Sequence, residues 1–452
     1  MSLEWIREAL EGAGEGEALL EGERRVTYPE LLGEIARLRA RLREWGVRPG
    51  DVLAFAGDYG TPNVVRFFAA LLEELVAVPL AMAGEAELQR ALDAVPGDWF
   101  FPATAPLDEP PRRRQPPGER RDHPLLAQLR ARGHAGVIVL TSGSTGRPKV
   151  ILHDAVGLFD KFRKPRRAYR SLVFLLPDHM GGINTLVSLL TAGGTLILPV
   201  KRDPETLCAL IARHRAELLP VTPSFLNLLL VSEAWRRHDL SSLKVVSYGT
   251  EVMPETTLQR AAAALPGVRF VQLYGSSELG IFQGRSSGEL SPFLQLQAAG
   301  VEFTVREGTL WVRGADSMLG YLGGEPSGFG DGGWYDTGDL VEERDGQLRF
   351  LGRRSELINV GGQKVLPGEV EEALLQLPGV VEATVHGEAH ALTGQIVVAR
   401  VQLATDEDEK AFKLRLRQAL KGRLQPYKIP VKVTLVDSLV SSRLKKQRRA
   451  GP

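Results

Sequence analysis

The hydrophobic and polar positions near the start of the chain follow two periods, one typical of helices and one of buried strands. Residues 28–46 place their apolar side chains three or four positions apart, which predicts an amphipathic helix. A turn leads into the short apolar run 52–57, a predicted buried strand, and residues 62–80 predict a second helix that runs into the strand-like VAVPL. This alternation indicates a parallel sheet with helical crossovers.

The same alternation resumes at residue 136, where five further apolar runs predict strands. The runs are SLVFLLP (171–177), TLILPV (195–200), ELLPVTP (217–223), LKVVSYG (243–249) and RFVQLYG (269–275). Several of them end in glycine, proline or a hydroxyl residue. Because ligands of open parallel sheets bind beyond the carboxyl ends of the strands, the residues at these ends are candidate site residues.

Two changes of pattern divide the rest of the chain. From residue 301, VEFTVREGTLWVRG alternates with period two and predicts antiparallel strands. A break at GRRSE (352–356) precedes helix and strand patterns that predict a small α+β domain. We therefore expect an α/β fold: a large N-terminal domain (1–352), with parallel α/β subdomains and a small β subdomain, followed by a C-terminal domain (353–452). The Pro- and Arg-rich segment 102–123 predicts a surface loop.

Composition narrows the class of protein. A chain of 452 residues is too long for one ordinary core. The net charge of +1 provides no field that would favour nucleic acid or an anionic membrane. The single cysteine, Cys208, cannot form an internal disulfide, and we interpret it as a small core residue rather than a catalytic thiol. No signal peptide is recognisable, and no apolar run reaches the roughly 18 residues that a membrane span requires. We expect a cytoplasmic location and no membrane span.

The stretch LTSGSTGRPKV (140–150) has the composition of a loop that binds phosphate. Glycines let the backbone approach a ligand closely, hydroxyls donate hydrogen bonds, and a lysine adds a compact positive charge. The order of residues differs from a Walker P-loop, and the alternative is a Gly- and Ser-rich surface turn. The candidate phosphate-binding residues are Thr141, Ser142, Gly143, Ser144, Thr145, Gly146 and Lys149.

Three further motifs follow this loop in order. They are YGSSELG (274–280), YDTGDL (335–340) and GRRSELINVGGQKVLPGEVEEAL (352–374), and the chain ends with the basic segment SSRLKKQRR. Together the motifs resemble the adenylate-forming superfamily, which includes acyl- and aryl-CoA synthetases, amino-acid adenylation domains and luciferases. The resemblance covers nearly the whole chain.

The resemblance implies a reaction in two halves. A carboxylate attacks the α-phosphate of ATP to give an acyl-AMP and pyrophosphate, and a thiol, usually that of coenzyme A, then accepts the acyl group. No protein nucleophile is needed, so catalysis consists of positioning and of neutralising phosphate charge. ATP, Mg²⁺ and coenzyme A are the implied cofactors.

The resemblance also implies roles for residues of these motifs. The 141–149 loop would hold the β- and γ-phosphates, and Glu278 would act as a catalytic residue by ligating Mg²⁺. Asp339 would accept hydrogen bonds from both ribose hydroxyls. Taken alone, Glu278 also fits a solvated loop carboxylate, and Asp339 a turn residue. Ser277 stands where the family usually has threonine, and a hydroxyl is retained.

The other residues implied to bind the nucleotide surround the adenine and the ribose. Tyr274 would stack near the adenine, and Arg353 would reach the ribose or a phosphate. The strand end SYGTE (247–251) resembles the segment at the edge of the purine. The nucleotide-binding set therefore also contains Gly249, Thr250, Glu251 and Gly275.

The small C-terminal domain is implied to be mobile, because the family swings it between the two half-reactions. The hinge would lie at Ser355, where many members have aspartate, or at the adjacent Glu356. The segment NVGGQKV (359–365) resembles the loop that lines the tunnel of the thiol. Gly361 and Gly362 would leave room there for the pantetheine arm of coenzyme A.

A lysine near the C-terminus is implied to catalyse adenylation. We assign this role to Lys445, with Lys446 as the alternative, because RLKKQRR fits the family's LK context. The charge would bridge the substrate carboxylate and the α-phosphate. The other interpretation is a frayed basic tail.

The acid would bind beside the segment 177–184. His179 matches a residue that gates the pocket in many CoA ligases, although it also fits a helix cap. The apolar wall would suit a fatty or aromatic acid and consists of Met180, Ile183, Phe225, Leu279 and Ile281. Amino-acid adenylation domains have an aspartate where Met180 stands, which argues against an α-amino acid unless a gap brings Asp178 into that place.

Three hypotheses about function remain. The first is an AMP-forming acid–CoA ligase. The second is an acyl-AMP ligase that passes its product to a separate carrier protein or to an amine. The third is a non-catalytic protein that binds acyl groups and nucleotide. A homodimer is a possible partner arrangement.

Overall fold

The computed structural model of the protein describes residues 2–82, 84–114, 123–142, 148–286, 290–298, 300–314, 318–323 and 328–439. The helices of this part are α1 Glu4–Glu11, α2 Tyr28–Glu44, α3 Thr61–Leu72, α4 Glu85–Ala94, α5 Pro124–Ala131, α6 Ala155–Asp160, α7 Met180–Leu190, α8 Pro204–His214, α9 Pro223–Ser232, α10 Glu255–Ala264, α11 Pro367–Leu375 and α12 Glu409–Leu420. The strands are β1 Glu17–Glu21, β2 Arg24–Thr27, β3 Val52–Ala56, β4 Val76–Leu80, β5 Trp99–Phe101, β6 Arg112–Arg113, β7 Gly136–Ser142, β8 Pro148–Asp154, β9 Arg170–Leu172, β10 Thr195–Leu198, β11 Leu218–Val221, β12 Val245–Tyr248, β13 Arg269–Ser276, β14 Gly280–Ser286, β15 Leu294–Gln297, β16 Val301–Arg306, β17 Thr309–Gly314, β18 Gly320–Tyr321, β19 Tyr335–Arg344, β20 Gln347–Arg353, β21 Ile358–Val360, β22 Gln363–Val365, β23 Val380–His390, β24 Gly394–Leu403 and β25 Lys432–Leu435.

The first predicted helix illustrates how the local sequence sets an element. Thr27 caps α2 by accepting a hydrogen bond from the backbone N–H of Glu30, and the Glu30 carboxylate accepts one from the backbone of Thr27. This capping box satisfies two backbone donors that the helix leaves unpaired. Leu31, Ile35, Leu38 and Leu42 of the predicted stripe are buried, as the 3.6-residue period requires, and Leu32 and Trp45 are partly buried.

The first sheet has seven strands in the order β18-β8-β7-β4-β3-β5-β6. Its centre is parallel, with β4 pairing with β3 and β7, while β8 pairs antiparallel with β7 and with β18. The β7–β8 pairing brings Thr141 opposite Lys149. Segment 102–123 is largely irregular where described, apart from β6, which pairs with β5. Residues 115–122 of this segment lie outside the described residues.

The second sheet is longer, with thirteen strands in the order β16-β17-β19-β20-β15-β14-β13-β12-β11-β9-β10-β1-β2. The five predicted strands from 171 to 275 are β9 to β13, and β9 is shorter than SLVFLLP because the chain leaves the sheet toward α7. The predicted alternation at 301–314 is confirmed as the antiparallel pair β16 and β17.

Strand β13 joins the parallel and antiparallel parts of this sheet. Residues 269–272 pair parallel with β12, and residues 273–276 pair antiparallel with β14. The predicted small β subdomain is therefore hydrogen-bonded to the parallel part through β13, β14 and β15. The motif YGSSELG begins on the antiparallel half of this strand.

The third sheet belongs to the C-terminal part of the chain. Its strands run in the order β22-β21-β24-β23, with β25 on β24, and α11 and α12 pack on it around a core of its own. Hydrogen bonds join this part to the preceding one: Asn227 Nδ2 donates to the Val381 carbonyl at 2.6 Å and to Glu382 Oε2 at 3.3 Å, and the Thr256 N–H donates to Glu372 Oε1 at 3.1 Å. The boundary at residue 352 stays a prediction.

Two expectations from composition can be compared with the structure. Cys208 is completely buried on α8, and burial raises the pKa of its thiol to about 12, which agrees with a core residue. Across the described ranges, none of the helices combines the length and the apolar character that crossing a bilayer demands.

Candidate active site

Residues from four sequence motifs meet at the junction of the first two sheets. Lys149 Nζ lies 5.1 Å from the centroid of the Tyr321 ring, and the Tyr321 hydroxyl donates to Glu278 Oε1 at 3.1 Å. Nearby, the Tyr274 hydroxyl donates to Asp339 Oδ2 at 2.8 Å. The charges of Glu278 and Asp339 are close enough to influence one another. The structure thus brings together three of the predicted charged residues.

Asp339 is a buried carboxylate with a partner on each oxygen. Its Oδ1 lies 2.7 Å from Arg353 Nε, and its Oδ2 accepts from Tyr274. Burial raises the pKa of Asp339, while the guanidinium and the phenol hydroxyl act in the opposite direction. A carboxylate has about four lone-pair sites, so two further O–H donors can be accepted. The arrangement suits the ribose-binding role, which stays a prediction.

Several hydrogen bonds to its backbone groups hold the turn that carries Glu278. Ser276 Oγ accepts from the N–H groups of Glu278 and Leu279, each at 3.3 Å, and the Met318 N–H donates to the Glu278 carbonyl at 2.7 Å. His153 on β8 adds a contact of 2.6 Å between Nε2 and the Ser277 carbonyl. Glu278 is half-buried, so its carboxylate is held in place yet is accessible from one side.

Gly275, just before this turn, is required by close packing. A Cβ atom there would lie 2.3 Å from the Gly280 carbonyl oxygen of the paired strand β14. No side chain fits at that distance without moving one of the two strands. The glycine therefore maintains the turn, and a contact with nucleotide stays a prediction.

The phosphate-loop prediction is only partly covered by the structure. Thr141 and Ser142 end β7, and Lys149 lies on the facing strand β8. The residues that form the tip of the predicted loop lie outside the described residues: Gly143, Ser144, Thr145 and Gly146. Lys149 stands at the base of this loop, on the side of Tyr321.

Glu278 is the candidate ligand for Mg²⁺ among the residues of this site. The described part of the chain contains no group of three His, Cys, Asp or Glu residues that could hold a metal by itself. Mg²⁺ is commonly bound by one or two carboxylates together with substrate phosphates. A single carboxylate, Glu278, close to the cation Lys149, fits an ion that binds together with a nucleotide.

The predicted adenine-side residues occupy two places. Gly249 and Thr250 follow β12, and Glu251 accepts hydrogen bonds from the Ser224 N–H and hydroxyl at 3.1 and 2.6 Å. The ring of Tyr274 stacks on Phe350, with centroids 4.5 Å apart and planes 19° apart. One face of the Tyr274 ring is therefore covered by protein, and its contact with adenine stays a prediction.

His179 is the N-cap of α7, where its Nδ1 accepts from the Gly181 N–H at 3.0 Å. This is the helix-cap interpretation, and a role in gating stays a prediction. The neighbouring Asp178 is buried, and its Oδ2 accepts from the Ala81 N–H at 3.3 Å. Its carboxylate thus takes part in joining the end of β4 to α7.

The proposed apolar wall is part of the protein interior. Met180 and Ile183 belong to one hydrophobic core, Phe225 to a second and Leu279 to a third, and Ile281 packs against the first. These residues come from α7, α9 and the region of β14. A pocket for an apolar group beside them stays a prediction.

The C-terminal candidates divide into described and undescribed residues. Gly361 and Gly362 are the two residues of the turn between β21 and β22, with φ of 57° and 85°. Positive φ at both positions is what the tightest hairpin turns require, so the turn itself explains both glycines. Both are exposed in this arrangement. Lys445 and Lys446 lie outside the described residues, as does the rest of the basic tail.

Two residues of the site were missed by sequence reasoning. Tyr321 lies in GYLGG, which carries no obvious chemistry until its contact with Glu278 is seen. His153 shares one face of β8 with Lys149 because side chains alternate along a strand. A histidine within the apolar run VILHD, at the even spacing from a candidate lysine, was the signal that could have identified it.

Comparisons with known proteins show which families and folds this chain is similar to. The model of the AMP-binding enzyme family matches residues 6–322, and that of the AMP-binding enzyme C-terminal domain matches residues 369–446. An indoleacetate–CoA ligase of Aromatoleum aromaticum is 28% identical, over 94% of this chain and 92% of that protein. The crystal structure of the anthranilate CoA ligase AuaEII has a TM-score of 0.82 at 19% identity, over 98% of this chain and 95% of the other. The amide bond synthetase McbA from Marinactinospora thermotolerans has a TM-score of 0.79 at 25% identity, over 98% of both chains.

Proposed function

This chain belongs to the AMP-binding enzyme family, and on that premise we propose that it is an AMP-forming acid–CoA ligase. The general activity, which is activation of an acid by an adenylate-forming ligase, follows from the family and its relatives. The proposal adds the acceptor, coenzyme A, and the class of acid, fatty or aromatic.

The proposal depends most on two sets of side-chain contacts that connect the motifs. Lys149 and Glu278 meet on Tyr321, while Asp339 is held by Tyr274 and Arg353. A magnesium nucleotide has phosphates that pair with a cation, a metal ion that binds a carboxylate, and ribose hydroxyls that donate to a second carboxylate. The site offers all three partners. A surface turn or a solvated loop would not need such an arrangement.

The proposed mechanism relies on positioning and charge. Lys149 neutralises charge on the outer phosphates, and Asp339 orients the ribose so that the α-phosphate faces the bound acid. Mg²⁺, when bound, would neutralise negative charge on the phosphates, and Glu278 is the residue that would hold it. Lys445 is the proposed bridge between the acid and the α-phosphate. The acid's own carboxylate is the nucleophile, and pyrophosphate leaves.

The class of acid is inferred from the proposed apolar wall. Met180, Ile183, Phe225, Leu279 and Ile281 offer no charged group that would pair with an α-amino group. The names of two similar proteins, an indoleacetate–CoA ligase and an anthranilate CoA ligase, support an aromatic acid. We propose an aromatic acid first and a fatty acid second.

A second candidate function differs only in the acceptor. The similarity to an amide bond synthetase favours an enzyme that passes the acyl group from acyl-AMP to an amine, and a thiol on a separate carrier protein is the related alternative. The two glycines of the β21–β22 turn do not distinguish these acceptors, because the turn requires them in any case.

The test is pyrophosphate release from ATP and Mg²⁺ with a panel of aromatic, fatty and amino acids, with and without coenzyme A. Turnover with one acid that rises sharply with coenzyme A, together with its acyl-CoA product, supports the ligase. Adenylation that is indifferent to coenzyme A supports an amine or carrier acceptor. Nucleotide binding without pyrophosphate release or exchange for any acid supports the non-catalytic alternative. Lys445→Ala should reduce adenylation while Lys446→Ala, its matched control, should not.

A further inference from the structure

Tyr321 is the residue on which two opposite charges of the site meet. Its hydroxyl donates to Glu278 Oε1 at 3.1 Å, and its ring lies below Lys149, whose Nζ is 5.1 Å from the ring centroid. The side chain is 7% exposed, so both contacts are largely shielded from water. A phenol can do both at once because its hydroxyl donates in the plane of the ring while the ring face attracts a cation.

The two charges do not neutralise each other. Among the residues that the structure describes, neither Lys149 nor Glu278 has an ion-pair partner within 4.0 Å. Both are on flexible side chains of opposite charge, and without an intervening group they would attract each other. Tyr321 contacts both, with its ring face toward Lys149 and its hydroxyl toward Glu278.

Three backbone hydrogen bonds hold the segment that carries Tyr321 against two neighbouring elements. Leu319 and Leu322 donate their N–H groups to the carbonyls of Leu152 and Val150, each at 2.8 Å, and this pairs β18 with β8. Met318 donates its N–H to the Glu278 carbonyl at 2.7 Å. The backbone segment that carries the phenol is thus hydrogen-bonded both to the strand of Lys149 and to the turn of Glu278.

We propose that Tyr321 is a positioning residue for the magnesium nucleotide, keeping the Lys149 ammonium and the Glu278 carboxylate apart and oriented so that each is available to the ligand. The proposal rests on the proposed function, because it takes the ligand to be ATP with Mg²⁺. On this proposal Tyr321 acts through Lys149 and Glu278 rather than on the acid, so its loss should alter nucleotide binding selectively.

The experiment measures binding of ATP by calorimetry across a range of Mg²⁺ concentrations, together with kcat and KM for ATP and for the acid. Tyr321→Phe removes the hydroxyl and retains the ring. We expect the Kd and KM for MgATP to rise about tenfold, as expected for a lost hydrogen bond to a charged group, with KM for the acid unchanged. Tyr321→Leu, which also removes the ring, should weaken MgATP binding further.

The matched control is Tyr28→Phe. Tyr28 is also a buried phenol, and its hydroxyl donates to the carbonyls of Leu190 at 3.0 Å and Gly194 at 2.7 Å, in a different part of the protein. This variant should lose stability but should bind MgATP like the unmodified chain. Equal effects of the two variants on MgATP binding would overturn the proposal.

A double-mutant cycle tests whether Tyr321 acts through the carboxylate. In a Glu278→Gln background, Tyr321→Phe should change the Kd for MgATP by less than about twofold, since the charged partner of the hydrogen bond is absent. Independent, fully additive effects would refute the positioning role. If the unmodified chain binds MgATP but releases no pyrophosphate with any acid, the proposed function is overturned. The double-mutant cycle still decides the role of Tyr321 in that case, because it measures binding alone. An unmodified chain that does not bind MgATP would overturn both.

Discussion

Replacing His153 with glutamine should remove a specific weakness of the fold toward acid. His153 is completely buried on β8, and its Nε2 lies 2.6 Å from the Ser277 carbonyl. Within the described residues, its Nδ1 has no hydrogen-bond partner. Burial lowers the pKa of this imidazole from its ordinary 6.5 to about 4. Glutamine carries an amide N–H that can replace the donor to Ser277, and it does not titrate.

The sign and the size of the effect follow from proton binding. At pH 7 the imidazole is mainly neutral in both the folded and the unfolded chain, so it makes little pH-dependent contribution. Between pH 6.5 and about 4 the unfolded chain binds a proton that the folded chain does not, so stability falls as the pH falls. At about 1.4 kcal/mol per pH unit, His153 should cost about 2 kcal/mol of stability between pH 7 and pH 4.5.

The assay is urea unfolding of the unmodified chain and of His153→Gln at pH 7 and at pH 4.5. The unmodified chain should lose about 2 kcal/mol more than the variant over this range. An NMR titration of the imidazoles should show a ring that stays neutral well below pH 6 and whose signal is absent from His153→Gln. His390→Gln, which removes an exposed imidazole, is the control for a general effect of the substitution. Parallel losses in the unmodified chain and His153→Gln would refute the reasoning.

Three other features of the structure can be tested by substitution. Asp339→Asn keeps the shape of the side chain and removes its charge, so ATP-dependent pyrophosphate release should fall at least about tenfold, with an unchanged circular dichroism spectrum; full activity would contradict the ribose role. Gly275→Ala should destabilise the fold by about 1–3 kcal/mol in urea unfolding, because its Cβ would meet the neighbouring strand, whereas Gly33→Ala, with nothing within 4 Å of its Cβ, should stabilise α2 by up to about 1 kcal/mol. Asn227→Ala removes the hydrogen bonds to Val381 and Glu382 and should speed tryptic cleavage in segment 353–358 about fivefold; an unchanged rate would show that these bonds do not hold the C-terminal sheet.

Features that depend on neighbouring residues in the sequence were predictable. The stripe of α2 and the alternation of β16 and β17 appear as expected, because the period of a helix or strand is set by its own backbone. The resemblance of the ordered motifs to a known family implied a shared site for Lys149, Glu278 and Asp339, and the structure places these three residues near one another.

Features that depend on distant pairing were not predictable. Nothing in RFVQLYGS indicates that one half of β13 pairs parallel and the other half antiparallel, since this is decided by β12 and β14 on its two sides. Tyr321 acquires its importance only when β18 pairs with β8, more than 160 residues earlier in the chain. The backbone angles of the β21–β22 turn account for Gly361 and Gly362, while room there for a pantetheine arm stays a prediction.

The β21–β22 turn has a consequence for the entropy of any later contact. A flexible loop must lose conformational freedom when it meets a ligand, and that loss weakens binding. Here the two glycines adopt the angles of a tight hairpin while the tip is still exposed to solvent. The freedom of the tip is therefore already lost when the domain folds. A ligand that contacts the turn therefore meets a backbone whose conformation is already formed, and binding does not have to order a loop.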